Sequence, residues 1–128
     1  MFAFPDHYVE RSAYWADVDL VRWSKQTYEW TRDDWSGVRD FAQSARRTYE
    51  TGRGDCEDYA LVAANVLASR DRSNLHFAIV SEGFLPEHFV LYDAVDQQVY
   101  SSGRIYDATL SEYLDESRYV RRVTRRIV

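Results

Sequence analysis

The sequence predicts an α+β domain in which helices come first and an antiparallel sheet follows, and three observations lead there. From Tyr59 to Ala68 the chain is apolar on every side, the signature of a helix buried at the centre of a small domain. After it, residues 76–80, 88–92 and 99–102 form short apolar runs divided by polar or Gly- and Pro-containing stretches, which read as consecutive strands. Before it, apolar residues recur at helical spacing on one side only, which reads as amphipathic helices.

Taken in order, residues 1–16 carry Phe2, Phe4, Tyr8, Tyr14 and Trp15 around Pro5, an extended or short helical lead-in that packs onto the core. Over 17–30, Leu20, Trp23, Thr27 and Trp30 share one helix face. Val38, Phe41, Ala42, Ala45 and Tyr49 define the stripe of a second helix, which Thr31 or Asp33 can cap; Gly37 within it costs about 1 kcal/mol relative to alanine. The central helix opens at Gly52-Arg53-Gly54-Asp55-Cys56-Glu57-Asp58. Asp55 is suited to the N-cap, Asp58 to the reciprocal position of an acidic capping box, and Cys56 to the first turn.

Downstream, 70–74 is a polar turn, 81–86 a loop holding Gly83 and Pro86, and 94–97 the turn of a hairpin. That turn sets Asp93 opposite Gln98 and His88 opposite about Gly103, so a residue that orients the His88 imidazole belongs near Ser101, Ser102 or Gly103. Thr109 and Glu112 form a capping box for a helix carrying Leu110, Tyr113 and Leu114. Residues 119–128 alternate unevenly between apolar positions and the pairs Arg121-Arg122 and Arg125-Arg126, the pattern of a final strand added to the sheet.

Composition narrows the function classes. With 128 residues, 45% of them hydrophobic and 16% aromatic, the chain reads as one folded domain. A single cysteine excludes an internal disulfide, and neither a secretory leader nor an apolar run near the ~20 residues of a membrane span is present, so a reducing cytoplasmic setting is expected. The net charge of −5 disfavours nucleic acid as a partner. Setting the four tail arginines aside leaves −9, so they are expected to pair with the acidic body. Lys25 stands alone against fifteen arginines, a bias that fits either a GC-rich genome or adaptation to high salt. No metal-ligand spacing, phosphate loop or dinucleotide fingerprint is present.

Cys56 therefore carries the chemistry or none is carried. At a helix start, unpaired N–H groups favour a thiolate and a developing oxyanion, whereas Asp55, Glu57 and Asp58 in the same turn oppose the thiolate. The thiol needs a base; without one it is a small buried hydrophobe. His88, after the Gly83 loop, opens a strand at the end of the sheet near the mouth of the helix; His76 opens the preceding, oppositely directed strand and falls at the far end.

The segment Gly54-Asp55-Cys56-Glu57-Asp58-Tyr59-Ala60, continuing through Leu67, resembles the cysteine motif of the transglutaminase-like superfamily, most closely its bacterial transglutaminase-like cysteine proteinases. Pro86-Glu87-His88-Phe89-Val90-Leu91-Tyr92-Asp93 resembles the matching histidine strand, and the likeness spans about 49–103. It implies a papain/transglutaminase-like fold, with N-terminal helices and a buried central Cys helix packed on an antiparallel sheet. It also implies a cysteine-dependent amide hydrolase (peptidase, amidase or deamidase) or acyl transferase, acting through a thioester on a protein or peptide without a cofactor. Cys56 would be the nucleophile, His88 its base, and the main chain at Gly54 and Asp55 part of the oxyanion and substrate site. Trp35 offers an indole N–H or a core or lid aromatic, and the Gly83 loop a cleft wall. Where a proteinase relative carries Asp to orient the His, this chain has Ser101-Ser102-Gly103, which can fix a tautomer but supplies no charge. Asp107 is the nearest downstream carboxylate able to curl back, and equally belongs to the turn before the Thr109 helix. The alternative is a catalytically inactive member of the fold acting as a protein-binding or assembly module.

Overall fold

The computed structural model of the protein describes residues 6–31, 44–83 and 88–127. A 3-10 turn (Asp6–Tyr8) precedes helix α1 (Ala13–Ala16), whose N-cap Ser12 accepts the Tyr14 N–H. Helix α2 (Leu20–Arg22) runs into a π turn (Trp23–Thr27) closed by Tyr28 N–H on the Trp23 carbonyl at 2.8 Å. Strand β1 (Glu29–Trp30) follows. The chain resumes with α3 (Ala45–Thr51), β2 (Arg53–Gly54) and the central helix α4 (Cys56–Ser69). Next come β3 (Leu75–Ser81), β4 (His88–Asp93), β5 (Gln98–Ser101), β6 (Arg104–Tyr106), helix α5 (Leu110–Asp115) and β7 (Arg121–Arg126).

The predicted helix over 17–30 stops short. Glu29 and Trp30 pair in parallel with Arg53 and Gly54, and Glu29 N–H reaches the Gly52 carbonyl at 2.7 Å. That pairing overrides helix propensity, and Trp30 ends on the surface rather than on the helical stripe. The second helix is described from Ala45; its predicted residues Val38, Phe41 and Ala42, together with Gly37 and the cap Asp33, lie outside the described residues.

The main sheet runs β6-β5-β4-β3-β7 with every neighbour antiparallel. Asp93 opposes Gln98, as the turn at 94–97 requires. Buried Asp93 holds that turn by accepting the Val95 and Asp96 N–H groups, and Arg72 bonds it at 3.2 Å. Strand β6 was not foreseen: Arg104-Ile105-Tyr106 is too short for a periodic signal, and it returns against β5 through a turn at Ser102 and Gly103. The tail strand is present and lies beside β3.

Alternation in the strands builds two cores. Phe77, Phe89, Leu91 and Tyr100 face α4, and with Trp15, Leu20, Trp23 and Ala45 from the N-terminal helices they enclose its apolar girth. Ala78, Val80, Val90 and Val99 face the other way and pack under Leu110 and Tyr113 of α5. The arrangement is α+β, with α4 across one face of an antiparallel sheet and α5 on the other. Among the described residues no helix is long and apolar enough to cross a membrane.

Candidate active site

Cys56 is the first residue of α4, set there by the capping box. Asp55 accepts the Asp58 N–H at 3.0 Å, and Asp58 accepts the Asp55 N–H at 3.1 Å. Gly54 is required just before it, because a Cβ there would stand 2.7 Å from the Asp58 Cβ. The Gly54 carbonyl receives the Tyr28 hydroxyl at 2.9 Å and the Thr31 N–H at 2.9 Å, which ties the loop to the N-terminal segment.

The thiol is only 7% exposed. Burial, and next the Asp55 carboxylate, push it up from its ordinary 9.0 to about 12, and the backbone at Phe89 and Glu57 acts the other way. The sulfur is close enough to the backbone of β4 at Phe89 and to the Tyr113 hydroxyl to interact electrostatically with both.

His88 shares the strand face of Val90, so its ring lies on the α5 side. Its Nε2 is 2.6 Å from the Ser101 hydroxyl, which lies 3.2 Å from the Tyr113 hydroxyl, and the ring stacks on Tyr119 at 5.8 Å between centroids. Burial, and then Arg118, lower this imidazole from its ordinary 6.5 to about 4, so it is neutral at pH 7. Among the described residues no hydrogen bond joins the Cys56 sulfur to either ring nitrogen.

The predicted residues therefore separate. Cys56, His88 and Ser101 come to one end of the sheet. Ser102 lies there too, with its hydroxyl buried beside Tyr28 without completing a hydrogen bond and its backbone at φ +42°. The Asp107 expectation is corrected: its exposed carboxylate accepts the Gln98 amide at 2.8 Å, because the turn into α5 holds it there, and the imidazole bonds Ser101 instead. Gly83 is exposed, donates no wall to the cavity beside His88, and uses its carbonyl to accept the Ser81 hydroxyl at 2.8 Å. Trp35 lies outside the described residues. His76 bonds Asn74 at 2.9 Å near the far end of β3.

Sequence reasoning missed three tyrosines. Tyr113 was visible only as an apolar helix residue, Tyr119 only as the start of the tail, and Tyr28 had no local signal. A cavity of about 410 Å3 opens beside the ring, lined by His88, Ser101, Ser102, Tyr106, Tyr113 and Tyr119 among others. Among the described residues no group of three or more His, Cys, Asp or Glu side chains is placed to hold a metal ion. Comparison with protein-family models, with curated proteins and with solved structures found no match to this chain.

Proposed function

We propose that the chain is a transglutaminase-like, papain-type cysteine hydrolase in which a neutral Cys56 thiol and a neutral His88 imidazole act on an amide carbonyl of a protein or peptide. The observation that carries the reading is that Cys56 at the start of α4 comes to the same end of the sheet as the His88–Ser101 pair, whose Ser101 hydroxyl lies 3.2 Å from the Tyr113 hydroxyl, itself within electrostatic reach of Cys56. With the Nε2 proton donated to Ser101, Nδ1 keeps the lone pair. His88 Nδ1 takes the thiol proton as sulfur attacks the carbonyl carbon, and N–H groups at the start of α4 hold the oxyanion. Collapse expels the amine with the proton from Nδ1 and leaves a thioester; water, deprotonated by the same nitrogen, releases the acid and the thiol. An amine in place of water makes the reaction an acyl transfer. The catalytic hydrogen bond between sulfur and ring closes in the substrate complex, as such contacts do.

A second reading, a binding module without catalysis, is favoured by the electrostatics: acid neighbours and burial hold the proton on sulfur, and Ser101 supplies no charge to an imidazolium. Acylation by p-nitrophenyl acetate separates the two. General-base attack gives a rate that rises near pH 4 with His88 ionisation and then stays flat through neutrality, and His88→Ala removes the plateau. A rate simply proportional to hydroxide, identical in wild type and His88→Ala, overturns the hydrolase reading.

A further inference from the structure

The buried side chains of Ser101 and Tyr113 carry one hydroxyl proton each, and the tautomer of His88 decides where both go. With Nε2 protonated, the ring donates to Ser101 Oγ at 2.6 Å. Ser101 has one other partner among the described residues, so its own proton goes to Tyr113 Oη at 3.2 Å. The Tyr113 proton is left without an acceptor, because among the described residues its hydroxyl bonds Ser101 alone. The fold holds that hydroxyl in place. The Thr109–Glu112 capping box starts α5, Leu110 and Tyr113 pack under Val80, Val90 and Val99, and Tyr106 meets the phenol ring edge-on at 5.3 Å. Tyr113 lines the cavity of about 410 Å3 beside His88, and Cys56 is among the groups whose charge acts on it. Burial raises its pKa, which keeps the phenol protonated at neutral pH.

We propose that Tyr113 is a further catalytic residue of this site, its hydroxyl donating a hydrogen bond to the carbonyl oxygen of the acyl group that Cys56 attacks. Tyr113 has this role only if the hydrolase reading above holds, and it then adds a side-chain donor to the N–H groups of α4. As the sulfur–carbon bond forms, the π pair of the carbonyl moves onto oxygen, and the phenol bonds that oxygen without giving up its proton. A donor already held in a buried site needs no reorganisation as the charge develops, which is why losing one such contact costs about a hundredfold or more in rate. The base and this donor share one proton order. Reversing the chain, with Tyr113 donating to Ser101 and Ser101 to Nε2, would occupy the phenol proton and set the ring proton on Nδ1.

The test uses the full chain as wild type, Tyr113→Phe and His88→Ala, acylated by p-nitrophenyl acetate and by its thionoester, whose thiocarbonyl sulfur is a poor hydrogen-bond acceptor. Tyr113→Phe is expected to lower the plateau rate on the oxygen ester about tenfold to a hundredfold and to leave the thionoester rate nearly unchanged. A mere change of packing slows both esters alike. Nitrogen-15 NMR of the wild-type ring at pH 7, which needs no variant, is expected to show Nε2 protonated. Equal slowing of both esters, an unchanged rate on the oxygen ester, or a ring protonated at Nδ1 would each overturn the role of Tyr113. The first two, seen while the rate still depends on His88, leave the hydrolase reading standing. A wild-type rate that His88→Ala leaves unchanged removes that reading itself, and this role with it.

Discussion

Ser101 stands 2.6 Å from His88 Nε2 and passes the contact on to Tyr113, so the imidazole's partner is a neutral hydroxyl. The relay can hold a tautomer but cannot stabilise imidazolium. Ser101→Asp is therefore expected to raise the His88 pKa from about 4 by roughly 1–3 units, read by NMR titration of the ring, and to move the onset of p-nitrophenyl acetate acylation by the same interval. An unchanged titration would mean that residue 101 does not govern the ring.

Folding stability should carry the imprint of the same imidazole. Its pKa is lower in the folded protein than the ordinary 6.5, so between about 4 and 6.5 the unfolded chain binds the extra proton. Stability is then full above that window and is lost as pH falls through it, by roughly 3 kcal/mol in all. Urea titrations at pH 4.5 and 7 are expected to show this loss in wild type and a distinctly smaller one in His88→Gln, which cannot titrate.

Asp55 has two jobs that one substitution separates. It caps α4 and, beside the sulfur, helps to hold the thiol near 12. Asparagine caps equally well but carries no charge. Asp55→Asn is expected to keep the melting temperature within a degree or two of wild type, to lower the thiol pKa, and to speed iodoacetamide labelling of Cys56 severalfold at pH 9. Because the folded thiol ionises above its ordinary 9.0, wild-type stability should decline from pH 9 toward 12, and the variant's decline should be shallower.

What was legible in the chain was local. The capping boxes at Asp55 and Thr109, the apolar girth of α4, and the β4-β5 register follow from short-range chemistry and period, and the structure contains each. What was illegible depended on distant partners. Glu29 and Trp30 leave a helical pattern because Arg53 and Gly54 offer a backbone to pair with, and β6 exists because the β5 edge receives it. At the site, spacing placed the imidazole's partner at 101–103 and Ser101 fills that place. The tyrosines around it came from α5 and the segment before β7, whose positions no spacing in the sequence conveys.

Two glycines beside the candidate site give a paired test of that tertiary dependence. Gly103 turns β5 into β6 at φ +85°, and a Cβ there would stand 2.8 Å from the Tyr28 ring and 3.2 Å from the Ser24 carbonyl. Gly103→Ala adds strain in the left-handed region to a steric conflict, so a loss of about 2 kcal/mol is expected in urea unfolding. Displacement of Tyr28 also strains its bond to the Gly54 carbonyl, immediately before Cys56, so labelling of the thiol should change in the same variant. Gly83 is the control: nothing lies within 4 Å of a Cβ there, and Gly83→Ala is expected to leave stability within about 0.5 kcal/mol of wild type. Equal stability of the two variants would show that Gly103 does not hold the hairpin against Tyr28.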